Sequence, residues 1–175
     1  KPVPPKKPFP LGKLIAAVLA VAVIAGISIS VSNRNKQRAA AYEAAEMRKC
    51  RLLKEAGFNS VRSAHHPAGK AFLDACDKTG LLVMDELTDM WTIHKNNHDF
   101  AFSFLDEWQD MIKHMVDKDY NHACVILYSV GNEIQEIGTE RGAEINRMLC
   151  NAFKELDATR FTTNGMNALN AAGAK

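Results

Sequence analysis

The chain of 175 residues is 47% hydrophobic and 24% charged, a globular composition with enough apolar material for one ordinary domain or part of a larger one. Its formal charge of +2 conceals an asymmetry: residues 1–38 hold seven Lys/Arg and no acid, whereas residues 39–175 hold 15 basic and 20 acidic side chains. The basic residues flank an apolar run and are not spread over a folded face, which excludes a nucleic-acid-binding surface. The chain opens at Lys1 without a methionine, so an upstream N-terminus is expected.

Residues 1–10 carry five prolines and three lysines and are expected as an extended, solvated tail. Residues 14–31 form 18 consecutive residues without a charge, at the short end for a bilayer-spanning helix. A membrane helix is preferred there over a signal-peptide core or a buried core helix. Membrane association follows as the expected localisation, with its side left open, because lysines precede the run and Lys/Arg follow it. Residues 32–38 read as a polar linker, and 39–175 as the folded domain.

From residue 39 helices alternate with strands. A helix over 42–56 is stopped by Gly57, and a short strand covers 60–63. A helix over 69–79 is stopped by Gly80, and a buried strand over 81–84 ends at Asp85-Glu86. A long loop fills 87–99. Residues 100–118 place Phe104, Trp108, Met111, Ile112 and Met115 at helical spacing, a core stripe. The run from Cys124 to Val130 is β-branched and apolar, a strand buried on both faces, and it ends at Gly131-Asn132-Glu133. Residues 139–156 form an amphipathic helix, and 160–163 a further strand. This alternation predicts right-handed βαβ units and a parallel α/β sheet. Cys50, Cys76, Cys124 and Cys150 form no Cys-x-x-Cys pair and sit in apolar patterns. They read as small buried side chains, with no disulfide framework or zinc site.

In a parallel sheet the chemistry collects at the carboxyl edge of the strands. Three successive strand ends bring Arg62, His65 and His66, then Asp85 and Glu86, then Asn132 and Glu133 to that edge. Taken alone, an Asn-Glu pair more often turns the chain and caps the next helix. Carboxylates, a cation and imidazoles gathered on one edge suit acid/base chemistry.

The stretch Asn59-Ser-Val-Arg62-Ser-Ala-His65-His66-Pro67, followed by Phe72-Leu73, Asp77 and Gly80-Leu-Leu-Val-Met84, resembles the first motif of glycoside hydrolase family 2. That family includes β-galactosidases, β-glucuronidases and β-mannosidases. Residues 119–133, Asp-Tyr-Asn-His-Ala-Cys-Val-Ile-Leu-Tyr-Ser-Val-Gly-Asn-Glu, resemble its second motif. The resemblance implies part of a (β/α)8 barrel, about strands two to five, and a retaining mechanism. It makes Glu133 the general acid/base and Asn132 the amide that contacts the sugar 2-hydroxyl. It makes His65 a substrate-binding histidine, Arg62 the arginine beside the nucleophile, and Asp85 and Glu86 the acidic pair lining the site. His66 stands where tyrosine is commonest and Tyr128 where tryptophan is.

The substrate implied is a β-linked oligosaccharide or glycoside, most like a β-galactoside, from the stretch Gly131-Asn-Glu-Ile-Gln-Glu-Ile-Gly-Thr139. No cofactor is implied. The Glu-x-His that holds magnesium in some relatives is replaced by Met90-Trp91-Thr92, and His94 and His98 lack a third ligand for zinc. The family's nucleophile, a glutamate ending the seventh strand, falls outside this sequence, so the chain alone is expected to be inactive. The alternative expectation is a catalytically inactive, membrane-anchored remnant or interaction module, whose open sheet edges would favour association. Oligomeric state is not legible.

Overall fold

A computed structural model describes residues 11–167, with side chains from residue 19 onward except residue 20. The predicted tail at 1–10 lies outside these residues. Two compact units divide between Tyr42 and Glu43.

Helix α1 (Leu11–Glu55) runs through the division. The stretch 32–38, read as a linker, is helical: no glycine or proline lies between Gly26 and Gly57 to interrupt it. In the first unit the described apolar side chains, Leu19, Val21, Val23, Ile24, Ile27, Ile29 and Val31, are all exposed. Among the described residues no helix is long and apolar enough to cross a membrane. The spanning helix expected at 14–31 finds no support there; its side chains at 14–18 and 20 lie outside the described set.

The second unit is built on four parallel strands, β1 (Ser60–Arg62), β2 (Leu82–Glu86), β3 (Val125–Asn132) and β4 (Phe161–Gly165), in spatial order β1-β2-β3-β4. Helices α2 (Lys70–Thr79), α3 (Phe104–Asp119) and α4 (Glu140–Leu156) connect them. Parallel neighbours in sequence order, each joined through a helix, are the predicted βαβ arrangement, and they form an open stretch of a barrel wall. Local chemistry fixes the helix ends. Gly80 closes α2 in the left-handed conformation at φ 71, where its N–H reaches the Cys76 carbonyl. The Thr139 hydroxyl accepts from the Gly142 N–H and caps α4. Asp106 and Glu107 in the first turn of α3, and Lys118 in the last, complement its dipole.

The helix expected over 100–118 is broken. Phe100–Phe102 forms a 3-10 turn capped by Asp99, whose side chain accepts from the Ala101 N–H, and α3 begins after Ser103. The capping carboxylate favours a fresh start that apolar spacing cannot register.

The core lies between the sheet and its helices: Leu73 and Cys76 from α2, Val83 from β2, Phe104, Ile112 and Met115 from α3, Tyr128 from β3, and Leu149 and Phe153 from α4 are all buried. Tyr128 stacks on Phe153 with centroids 4.6 Å apart, and its hydroxyl donates to Asp157. Cys50, Cys76 and Cys124 are buried thiols, as read from the sequence, and Cys150 is partly so.

The β3–β4 register slips between Ser129 and Asn132: Ser129 pairs with Thr163, but Asn132 with Gly165. This irregularity sits at the carboxyl edge and re-aims the residues that follow it.

Candidate active site

Glu86 is the buried centre of the carboxyl edge, with no exposed surface. Its Oε2 accepts from Arg62 Nε at 2.8 Å and from the Ser129 hydroxyl at 2.8 Å, and Arg62 Nη2 lies 2.6 Å away. Its Oε1 lies 2.8 Å from His65 Nδ1. A buried carboxylate is tolerable only with such partners. Three strands supply them: Arg62 ends β1, Glu86 ends β2, and Ser129, its register partner, lies in β3. His65 follows in the loop after β1.

Arg62 also bridges to Asn132, its Nη2 donating to Oδ1 at 2.6 Å. The Asn132 Nδ2 donates to Asp89 Oδ1 at 2.8 Å. Both ends of the Asn132 amide are thereby orientated. Gly165 permits this approach, because a Cβ there would stand 2.6 Å from Arg62 Nη2. Glu133 follows with φ 44, in the left-handed region that a non-glycine residue enters only at a penalty of roughly 1–3 kcal/mol. Its carboxylate is exposed at the edge and has no hydrogen-bond partner among the described residues.

The residues singled out from sequence therefore separate. Arg62, His65, Glu86 and Asn132 form one bonded group, and Glu133 adjoins it. His66 is exposed and outside the group. Asp85 is not brought to it. Neighbouring strand residues face opposite ways, and Asp85 points to the helix side. There its Oδ1 accepts from the Ser63 hydroxyl at 2.5 Å and the Ala68 N–H at 2.8 Å, and its Oδ2 from Lys118 at 3.0 Å. Asp85 thus fastens the loop that carries His65. Beside it, burial and the Asp85 charge push the Asp119 carboxyl up to about 7, although Lys118 bonds to it.

Five residues at the edge escaped the sequence reading: Ser129, Asp89, Trp91, Lys95 and Glu136. Trp91 Nε1 donates to the Val130 carbonyl at 2.9 Å. Glu136 Oε1 accepts from the Thr92 N–H, the Thr92 hydroxyl and the Ile93 N–H at 2.8, 2.6 and 2.9 Å. The loop after β2 is stitched along the segment that carries Asn132 and Glu133. Such a loop has no periodicity; the one available signal was the density of polar residues in 88–99. Burial acts to raise the Asp89 carboxyl, but hydrogen bonds from Lys95 and Asn132 and the charges of Lys95 and His65 hold it below the ordinary range.

Asp77, His122 and Cys124 could ligate a metal, with one donor atom each within 4.8 Å of the others. They fit a metal poorly. Asp77 is bonded on both oxygens, to His122 Nδ1 at 2.7 Å and to the Cys124 N–H at 2.8 Å, and burial pushes the Cys124 thiol up to about 12. His94 Nδ1 lies 2.7 Å from Asp99 Oδ1, and its ring meets Phe102 at a tilt of 58° with centroids 4.3 Å apart.

A parallel sheet with helical crossovers and a carboxylate-rich carboxyl edge defines an enzyme-type barrel segment. Residues 32–172 match the TIM-barrel domain of glycosyl hydrolases family 2. The chain belongs to that family. It is 38% identical over 98 residues to the β-galactosidase BoGH2A of Bacteroides ovatus, covering 55% of this chain and 11% of that protein. It is 30% identical over 112 residues to a β-glucuronidase of Sus scrofa, covering 64% and 17%. A crystal structure of a family 2 member from Bacteroides cellulosilyticus superposes with a TM-score of 0.72 at 43% identity, covering 74% of this chain and 17% of that one. The chain thus spans between a tenth and a fifth of the length of these relatives.

Proposed function

We propose that this chain is a segment of a retaining, exo-acting β-glycosidase, most like a β-galactosidase, in which Glu133 is the general acid/base. The observation that carries the proposal is the pairing of an exposed Glu133 carboxylate, set at φ 44 at the strand end, with an Asn132 amide held from both ends. Glu133 protonates the glycosidic oxygen as the bond breaks, then takes a proton from the water that releases the sugar. Asn132 presents its amide to the 2-hydroxyl. Arg62 and His65, orientated by Glu86, line the same edge. Glu86 is enclosed by Arg62, His65 and Ser129, which suits a positioning part better than nucleophilic attack.

A retaining enzyme needs a second carboxylate roughly 5–5.5 Å from the first. The family resemblance assigns it to a later strand, so the 175-residue chain by itself is proposed to be inactive. The choice of galactose rests on the Gly131–Thr139 stretch and on relatives named β-galactosidases. The test is the complete enzyme with Glu133→Gln assayed on lactose and on an alkyl β-glucuronide. Loss of turnover on lactose supports the proposal. Unchanged turnover, or activity on the glucuronide alone, contradicts its mechanism or its sugar respectively.

Residues 14–31 are proposed to associate with a membrane. The exposed side chains of Leu19, Val21, Val23, Ile24, Ile27, Ile29 and Val31 support this, since water is a poor neighbour for such a run. Carbonate washing of a membrane fraction checks it: retention is expected, and release of uncleaved chain contradicts it.

A further inference from the structure

The peptide that joins Asn132 to Glu133 is held on both of its polar atoms. Its N–H donates to the Gly165 carbonyl at 2.6 Å. Its oxygen accepts from Lys95 Nζ at 2.8 Å. In a trans peptide these atoms point in opposite directions, so the two bonds together fix the rotation of the plane. Glu133 enters from that plane at φ 44, a conformation that persists only where the surroundings impose it.

Lys95 is itself held in place. Its ammonium also donates to Asp89 Oδ1 at 2.7 Å, and the same oxygen accepts from the Asn132 side chain. Lys95, Asp89 and Asn132 form a closed ring of charge-assisted hydrogen bonds. The Lys95 N–H donates to Asp99 Oδ2 at 2.7 Å, and that oxygen also accepts from the Asn96 N–H at 2.8 Å. The bond to the Asn132 carbonyl goes further, because it reaches the peptide that aims the next side chain.

We infer that Lys95 is a positioning residue for Glu133, gripping the Asn132–Glu133 peptide opposite Gly165 and so setting the direction in which the Glu133 carboxyl leaves the strand. The catalytic consequence rests on the acid/base reading of Glu133; the structural consequence does not.

The experiment has two parts. In the 175-residue chain, amide hydrogen exchange at Glu133 is compared in wild type, Lys95→Met and Lys95→Arg. Loss of a hydrogen bond from a charged donor should speed exchange about tenfold or more in Lys95→Met, with much of the protection restored in Lys95→Arg. In the complete enzyme, Lys95→Met should lower kcat on lactose about 10- to 100-fold with KM little changed, because misplacing a reacting group acts on the chemical step. In a Glu133→Ala background Lys95→Met should produce no further loss, whereas a loop that merely held the fold would slow both backgrounds alike. An equal loss in both backgrounds overturns the inference, as does unchanged exchange at the Glu133 amide. If Glu133→Ala itself leaves lactose hydrolysis intact, the acid/base reading falls. Exchange then decides the positioning alone, faster exchange supporting it and unchanged exchange overturning it.

Discussion

Replacing Arg62 by methionine keeps the apolar stem and removes the guanidinium that joins three strands. Glu86, fully buried, then retains only His65 and Ser129, and Asn132 Oδ1 loses its donor. Breaking a buried ion pair from one side costs about 3–5 kcal/mol. The Arg62 side chain is 35% exposed, so water compensates part of the loss and a figure of about 2–3 kcal/mol is appropriate. With a urea slope of about 2 kcal/mol/M, the unfolding midpoint should fall by about 1–1.5 M. Arg62→Lys should fall between, because one ammonium cannot reproduce a fork that meets Glu86 and Asn132 together. Urea titrations followed by tryptophan fluorescence measure this directly. A shift below about 0.3 M for the methionine variant would refute the claim that this network holds the edge together.

Asp119, raised from 3.8 to about 7, keeps a proton in the folded state that the unfolded chain gives up near its ordinary value. The unfolded state binds fewer protons between those values, so stability falls as pH rises from about 4 to about 7 and then levels. Asp119→Asn should lose that slope, and urea midpoints at pH 5 and 7 compare them; a wild type that gains on the variant over this range contradicts the sign. Gly142→Ala should destabilise the chain by about 1–3 kcal/mol, because the new Cβ would lie 2.2 Å from the Glu136 carbonyl oxygen. Gly131→Ala should cost less, since its nearest neighbour, 2.7 Å away, is the end of the Ile134 side chain and not backbone. Thermal melts rank the pair, and the reverse order would show that the α4 entry can shift.

Much of the layout was legible because glycines and apolar runs announce it. Gly57 and Gly80 adopt positive φ where helices were expected to stop, and β3 lies in the β-branched run. Alternation along β2 could have separated Glu86, which joins Arg62, from Asp85, which faces Lys118. The irregularity before Asn132, the break before α3 at Ser103 and the bonds from Asp89 and Lys95 were not legible. They depend on which distant atoms meet, and a loop such as 87–99 carries no period that could report it. The helical conformation of 32–38 is not legible in polar composition, because it follows from the lack of any breaker between Gly26 and Gly57.

The measurement closest to the central claim is a leaving-group series on Glu133→Ala in the complete enzyme. A general acid matters most when the leaving oxygen is basic. Lactose and alkyl β-galactosides should therefore be slowed by several orders of magnitude, while glycosylation by activated aryl galactosides suffers far less. Azide should restore turnover of the aryl substrates by attacking the glycosyl-enzyme without base assistance. Equal slowing of every leaving group, with no response to azide, would make Glu133 a structural residue and contradict the account.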